Sequence, residues 1–171
     1  MNIQLKKILP GEIPLFRKKM IESFTQGVLD RFGDIAAAPI PPENEVDEAL
    51  KQNDCDVFII TAAGKAAGGA IIRRLPDHRC SLDLFFIFKE FLNCKIGTAA
   101  WQMIEAHYPE TEVWETHTPY FERRNIHFYL NKCHFRIVEF FNEFHREEHD
   151  LTEEFRNIND SGFFRFEKRV K

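Results

Sequence analysis

With 171 residues, 44% of them hydrophobic and 18 of them Phe, the chain has the length and apolar content of one domain, expected over residues 1–171, with a filled core. Its formal charge of -4 is not the basic footprint of a nucleic-acid binder, and no apolar run reaches the roughly 18 to 20 residues that span a bilayer. The opening MNIQLKKILPGEIP lacks the apolar stretch and small-residue cleavage site of a secretory signal, so the expected location is the cytoplasm.

From the amino end, Ile3 to Leu9 alternates apolar with polar residues and stops at Pro10-Gly11, which predicts a strand and a turn. Ile13, Phe16, Met20, Ile21 and Phe24 fall at helical spacing, predicting a helix over Glu12 to Phe24 and a second, short one over Gln26 to Phe32. Ala36 to Glu43 is small and Pro-rich and reads as a loop, after which Val46 to Leu50 resumes a helical pattern. Val57 to Thr61, Ala66 to Leu75 and Cys80 to Phe88 are β-rich runs broken at Ala63-Gly64 and Pro76-Asp77, an antiparallel meander. Along the third run Leu82, Leu84, Phe86 and Phe88 are expected on one face, with Phe85 and Ile87 on the other.

Ile96, Ala99, Ala100, Met103, Ile104 and His107 share a helical face ending before Pro109, and Glu112 to Thr116 reads as a strand. Strand, helix and strand here imply a parallel crossover. A helix over about Glu122 to Cys133, the run Phe135 to Phe141, a charged connection and a last strand over Phe163 to Val170 complete a mixed α/β sheet with helices around it. The Phe-rich end from Phe135 onward offers a surface on which a homodimer is one of two open alternatives.

Cys55, Cys80, Cys94 and Cys133 are widely spaced and form no close pair, so they read as reduced thiols and not as a disulfide framework or zinc set. His145 and His149 stand at i, i+4 in a Glu-rich polar stretch and read as a solvated face. No metal is expected.

One junction carries chemistry. The strand ending at Ile87, the loop Phe88 to Lys95 and the helix opening at Ile96-Gly97-Thr98 bring together backbone N–H groups at the positive end of a helix dipole, an arrangement that can hold a phosphate. A single Gly at a strand-to-helix turn is more often only a turn.

The passage LDLFFIFKEFLNCKIGTAAWQMIE (Leu82 to Glu105), with NIHFYLNKCHF (Asn125 to Phe135) downstream, resembles the GNAT family of N-acetyltransferases. The family's Gln/Arg-x-x-Gly-x-Gly/Ala loop falls on Leu92, Asn93, Cys94, Lys95, Ile96 and Gly97, with Thr98 continuing the helix. Its Asn-x-x-a-x-x-Phe-Tyr-x-x-x-Gly-Phe helix falls on the second passage. The resemblance extends over nearly the whole chain. It implies a mostly antiparallel sheet with one parallel crossover, and acetyl-CoA as co-substrate with its pyrophosphate on the loop. It also implies pantetheine contacts to the main chain of Phe85, Phe86 and Ile87, where the strand splays from the one at Glu112 to Thr116.

Three positions depart from the family pattern. Leu92 stands where Gln or Arg is usual, and Lys95 where the first Gly is usual. Lys95 is expected to keep its backbone out of positive φ, with its ammonium either meeting a phosphate or facing solvent. His134 replaces the Gly after the second helix, and His enters left-handed conformation more readily than most residues.

By the same resemblance Tyr129 lies near the CoA sulfur and serves as general acid, a phenol being protonated at pH 7. Asn125, Phe128 and Lys132 are the accompanying cofactor contacts. Glu115 is the candidate base, with Asp83 and His117 as alternatives, each also readable as a solvated strand end. The implied activity is acetyl transfer from acetyl-CoA to an amine of a small molecule or protein, through a ternary complex. A CoA-binding or protein-interaction module without turnover is the alternative on the same fold. The acceptor site is expected in the divergent stretches, about Gln26 to Glu45 and Thr116 to Arg123.

Overall fold

The computed structural model describes residues 2–34, 40–41, 44–146 and 162–170. The alternating stretches form β1 (Ile3–Lys7), β2 (Cys55–Ala62), β3 (Lys65–Leu75), β4 (Arg79–Ile87), β5 (Val113–Pro119), β6 (Arg136–Phe141) and β7 (Phe163–Arg169). The periodic ones form α1 (Ile13–Phe32), α2 (Glu45–Lys51), α3 (Ile96–His107) and α4 (Arg123–Asn131). The strands join into one sheet in the order β1-β2-β3-β4-β5-β7-β6. Neighbours are antiparallel except β4 and β5, which α3 connects as a parallel crossover. This is the mixed α/β architecture the sequence predicts.

The helices bury their apolar faces on opposite sides of the sheet. Phe16, Met20, Val46 and Ala49 of α1 and α2 pack with Val57, Ile59, Ile71, Leu84 and Phe86. On the other side Trp101 and Ile104 of α3 and Tyr129 of α4 pack with Phe58, Ile72, Leu82, Trp114 and Phe166. Trp101 meets Trp114 edge to face with ring centroids 5.1 Å apart, a geometry that suits the aromatic quadrupole. Among the described residues no helix is long and apolar enough to cross a membrane. β6 forms a sheet edge on which Ile137, Val138 and Phe140 are exposed.

Two expectations are corrected. The helices predicted over Glu12 to Phe24 and Gln26 to Phe32 are one continuous helix, α1, in which Phe16, Met20 and Val28 are buried. Their four- and eight-residue spacings keep one ridge on the core, so the polar Thr25-Gln26-Gly27 stretch does not break the helix. It ends at Gly33, whose φ of 74° and N–H bond to Leu29 O form a left-handed cap.

The second correction concerns β4. Leu82 does not share a face with Leu84 and Phe86, because Ile72 pairs with Leu82 while Ile71 pairs with Leu84, leaving Asp83 as the extra residue of a bulge. A bulge shifts the side-chain alternation by one. Leu82 therefore joins the α3 side, with Phe85 and Ile87. The loop at 36–43 lies outside the described residues except for Ile40 and Pro41, as does His149.

Candidate functional site

The site begins where the sheet forks. β4 and β5 pair only from Arg79 to Ser81 against Val113 to Glu115, and the Thr116 hydroxyl donates to Leu82 O at 2.9 Å at the point of divergence. Beyond it the β5-facing edge of β4 has no ladder partner among the described residues. The Phe85 ring stacks on Phe128 of α4, with centroids 5.5 Å apart and planes 10° from parallel, so α4 is held under the open end of β4. The fork opens onto a cavity of about 1120 Å3 lined by the C-terminal half of α1, the end of β4, the following loop, the start of α3 and one side of α4.

The loop supplies donors. Asn93 and Lys95 have φ of 63° and 60°, and this left-handed pair around Cys94 curls the chain so that successive N–H groups converge, as in anion-binding nests. The Ala99 N–H donates to Lys95 O at 3.2 Å. The N–H groups of Asn93 to Thr98 before it have no backbone acceptor among the described residues, as the first turn of a helix dictates. Anion, dipole and donors are therefore complementary here. Lys95 was expected to avoid positive φ; it is instead the left-handed N-cap of α3. A side chain in that region costs about 1 kcal/mol. Replacing Lys95 by Gly is expected to raise stability by about that amount, measured as a shift of the denaturation midpoint.

Gly97 is not held small by a steric clash. A Cβ there would lie 3.4 Å from Phe128 Cε2 and 3.7 Å from Ile87 Cγ1, ordinary contact distances. His134 takes a φ of 63° after α4, so the turn survives without its usual Gly.

Tyr129 lines the cavity from α4 while its ring packs on Phe128, Phe135 and Phe166. Burial pushes its phenol well above the ordinary range, and a side-chain hydrogen bond with Thr116 opposes the shift. The group is thus a neutral donor at pH 7.

All the residues proposed as cofactor contacts line this one cavity except Cys94: Phe85, Phe86 and Ile87 of β4; Leu92, Asn93, Lys95, Ile96, Gly97 and Thr98; and Asn125, Phe128 and Lys132 of α4. Cys94 is exposed, its Sγ 3.5 Å from Leu92 O. The candidate bases stand elsewhere. Glu115 is paired with Arg79 at 2.7 Å, and that Arg79 also meets Glu167 at 2.8 Å. Asp83 is held by Arg73 at 2.8 Å and by the Ser81 hydroxyl at 2.6 Å. His117 is exposed, its ring 5.9 Å from that of Phe163. None of the three lines the cavity.

Sequence reasoning missed Phe121 and Glu122, at the entry to α4, as individual site residues. It also missed the α1 wall from Lys19 to Thr25. The unbroken α1 was the signal, since a helix through Gln26 carries that wall along the cavity.

A family model described as the Acetyltransferase (GNAT) family matches residues 21–135. The uncharacterized protein YrkN of Bacillus subtilis (strain 168) is 44% identical over 166 residues, covering 94% of this chain and 90% of that protein. Among solved structures, the ribosomal-protein-S18-alanine N-acetyltransferase of Escherichia coli is similar with a TM-score of 0.70 at 11% identity, over 99% of this chain and 95% of that one. The PaiA N-acetyltransferase of Thermoplasma acidophilum, in complex with coenzyme A, has a TM-score of 0.70 at 14% identity, over 99% and 100%. At such identities the structures show the fold, and the family match shows the class of enzyme. This chain belongs to the GNAT family of acetyltransferases.

Proposed function

We propose that the protein transfers an acetyl group from acetyl-CoA to a primary amine by direct attack in a ternary complex. The observation that carries this reading is the fork between β4 and β5, because it opens one cavity onto both an N–H nest and the Tyr129 phenol. Bound acetyl-CoA supplies the electrophilic thioester.

The chain's own groups divide the remaining work. N–H groups from Asn93 to Thr98 hold the pyrophosphate at the start of α3. Main-chain groups of Phe85 to Ile87, left without a β5 partner, hydrogen-bond the pantetheine amides as an added strand would. Asn125, Phe128 and Lys132 border the same path. Tyr129 keeps its proton at neutral pH and gives it to the departing sulfur as the C–N bond forms and the C–S bond breaks, and the proton shed by the attacking nitrogen restores the phenol. Holding both reactants in one cavity removes much of the entropic barrier to their meeting. Glu115 has no base role in this scheme, because Arg79 holds its carboxylate outside the cavity.

Titration of acetyl-CoA by calorimetry, followed by thiol release over a panel of amines, tests the reading. Binding with turnover of at least one amine is expected. Binding without turnover on any amine marks a CoA-binding module, and absence of binding removes both.

A further inference from the structure

Thr116 is a polar side chain buried in the core of the sheet. It lies on β5 opposite Phe166 of β7, and residues directly opposite in an antiparallel pair point their side chains to the same face. That face is the one α3 and α4 cover, and on it the Phe166 ring meets the ring of Tyr129 with centroids 5.5 Å apart. Thr116 therefore stands beneath α4 beside the phenol, with which it shares a side-chain hydrogen bond.

A threonine hydroxyl has one proton to give and two lone pairs with which to accept. Here the proton goes to Leu82 O at 2.9 Å, the first residue of β4 past the last one paired with β5. With its proton so placed, Thr116 accepts from the phenol, and the order is Tyr129 O–H to Thr116 Oγ1 and Thr116 O–H to Leu82 O. A phenolate at the same place has no proton to offer. It is satisfied only when Thr116 turns its own O–H away from Leu82 O, and a buried oxyanion without such a donor is strongly disfavoured.

We propose that Thr116 is the positioning residue of Tyr129, its hydroxyl aiming the phenol at rest and donating to the phenolate oxygen once the phenolic proton has passed to sulfur. The inference rests on acid catalysis by Tyr129. Thr116 loses no proton in the cycle. It changes acceptor, from Leu82 O to the phenolate, and returns when the proton shed by the attacking nitrogen restores the phenol.

The test is steady-state kinetics with the preferred amine, paired with calorimetry of CoA, for Thr116→Val, Thr116→Ser, Tyr129→Phe and the double variant Thr116→Val/Tyr129→Phe. Valine keeps the shape of the side chain without its hydroxyl. Thr116→Val is expected to lower kcat about tenfold, the effect of losing one hydrogen bond to a charged group, with KM and CoA affinity unchanged. Thr116→Ser keeps the hydroxyl and is expected to restore most of the rate. The double variant is expected to be no slower than Tyr129→Phe alone, because a residue that acts through the phenol has nothing left to aim. A merely structural Thr116 would instead give additive losses. Should the valine variant not fold, Thr116→Ala takes its place in the same cycle. Wild-type kcat in Thr116→Val, a Thr116→Ser variant as slow as Thr116→Val, or an additive cycle each overturns the assignment. Tyr129→Phe turning over at the wild-type rate defeats the acid-catalyst reading itself, and a wild type without turnover on any amine defeats acetyl transfer; either removes this inference with it.

Discussion

Replacing Tyr129 by Phe is expected to lower kcat roughly tenfold to a hundredfold, the usual range for loss of an acid catalyst. The effect should fall on kcat and not on CoA affinity, because the removed atom is the phenolic oxygen alone. Ring contacts with Phe128, Phe135 and Phe166 are kept by phenylalanine, so the core on the α3 side stays packed. The phenol is suited to the role by its setting: burial penalises the phenolate and keeps the proton on oxygen through the neutral range. Steady-state kinetics with the preferred amine, paired with calorimetry of CoA, separates the two quantities. A variant that turns over at the wild-type rate would exclude Tyr129 from proton transfer.

Element order was legible because each element keeps one period over enough residues. The β2 to β4 runs are β-branched and aromatic between turn residues, and α3 repeats its apolar positions every three or four residues. Strand, loop and helix start are consecutive residues and gave only a weak local signal; the resemblance at Leu82 to Glu105 and Asn125 to Phe135 is what joined them to α4. What escaped depended on partners distant in sequence. Glu115 reads as an open strand-end acid until β5 is placed between β4 and β7, where Arg79 reaches both Glu115 and Glu167. The bulge at Asp83 is set by the register against β3, and no alternation within β4 records it. Lys95 was misread for a different reason: the curl of a loop that must feed a helix outweighs a preference of about 1 kcal/mol at one residue. Glu122 went unnoticed as a cavity residue because the facing wall belongs to α1, a helix that sequence pattern had split in two.

Replacing Gly68 by Ala is expected to destabilise the protein by about 3 kcal/mol, the upper part of the usual range for overpacking a core, and to weaken CoA binding. Gly68 sits on β3 opposite Ile87, at the cavity end of β4. A Cβ there would come 2.2 Å from Phe86 O and 3.1 Å from Ile87 Cα. Both are backbone atoms, so no rotamer change relieves the clash and the strands themselves must separate. The strand that moves is the one whose free edge faces the cavity, which couples the stability loss to the cofactor wall. For a chain of this length, about 3 kcal/mol corresponds to a fall in melting temperature of roughly 6 to 12 °C. Gly11→Ala is the matched control, since a Cβ at Gly11 meets nothing within 4 Å. Melting of the Gly68→Ala variant together with the control would mean that β3 and β4 do not run in this register. A cold-shifted melt with unaltered CoA affinity would instead detach the end of β4 from cofactor binding, and with it the part of the proposed mechanism that assigns the pantetheine to Phe85, Phe86 and Ile87.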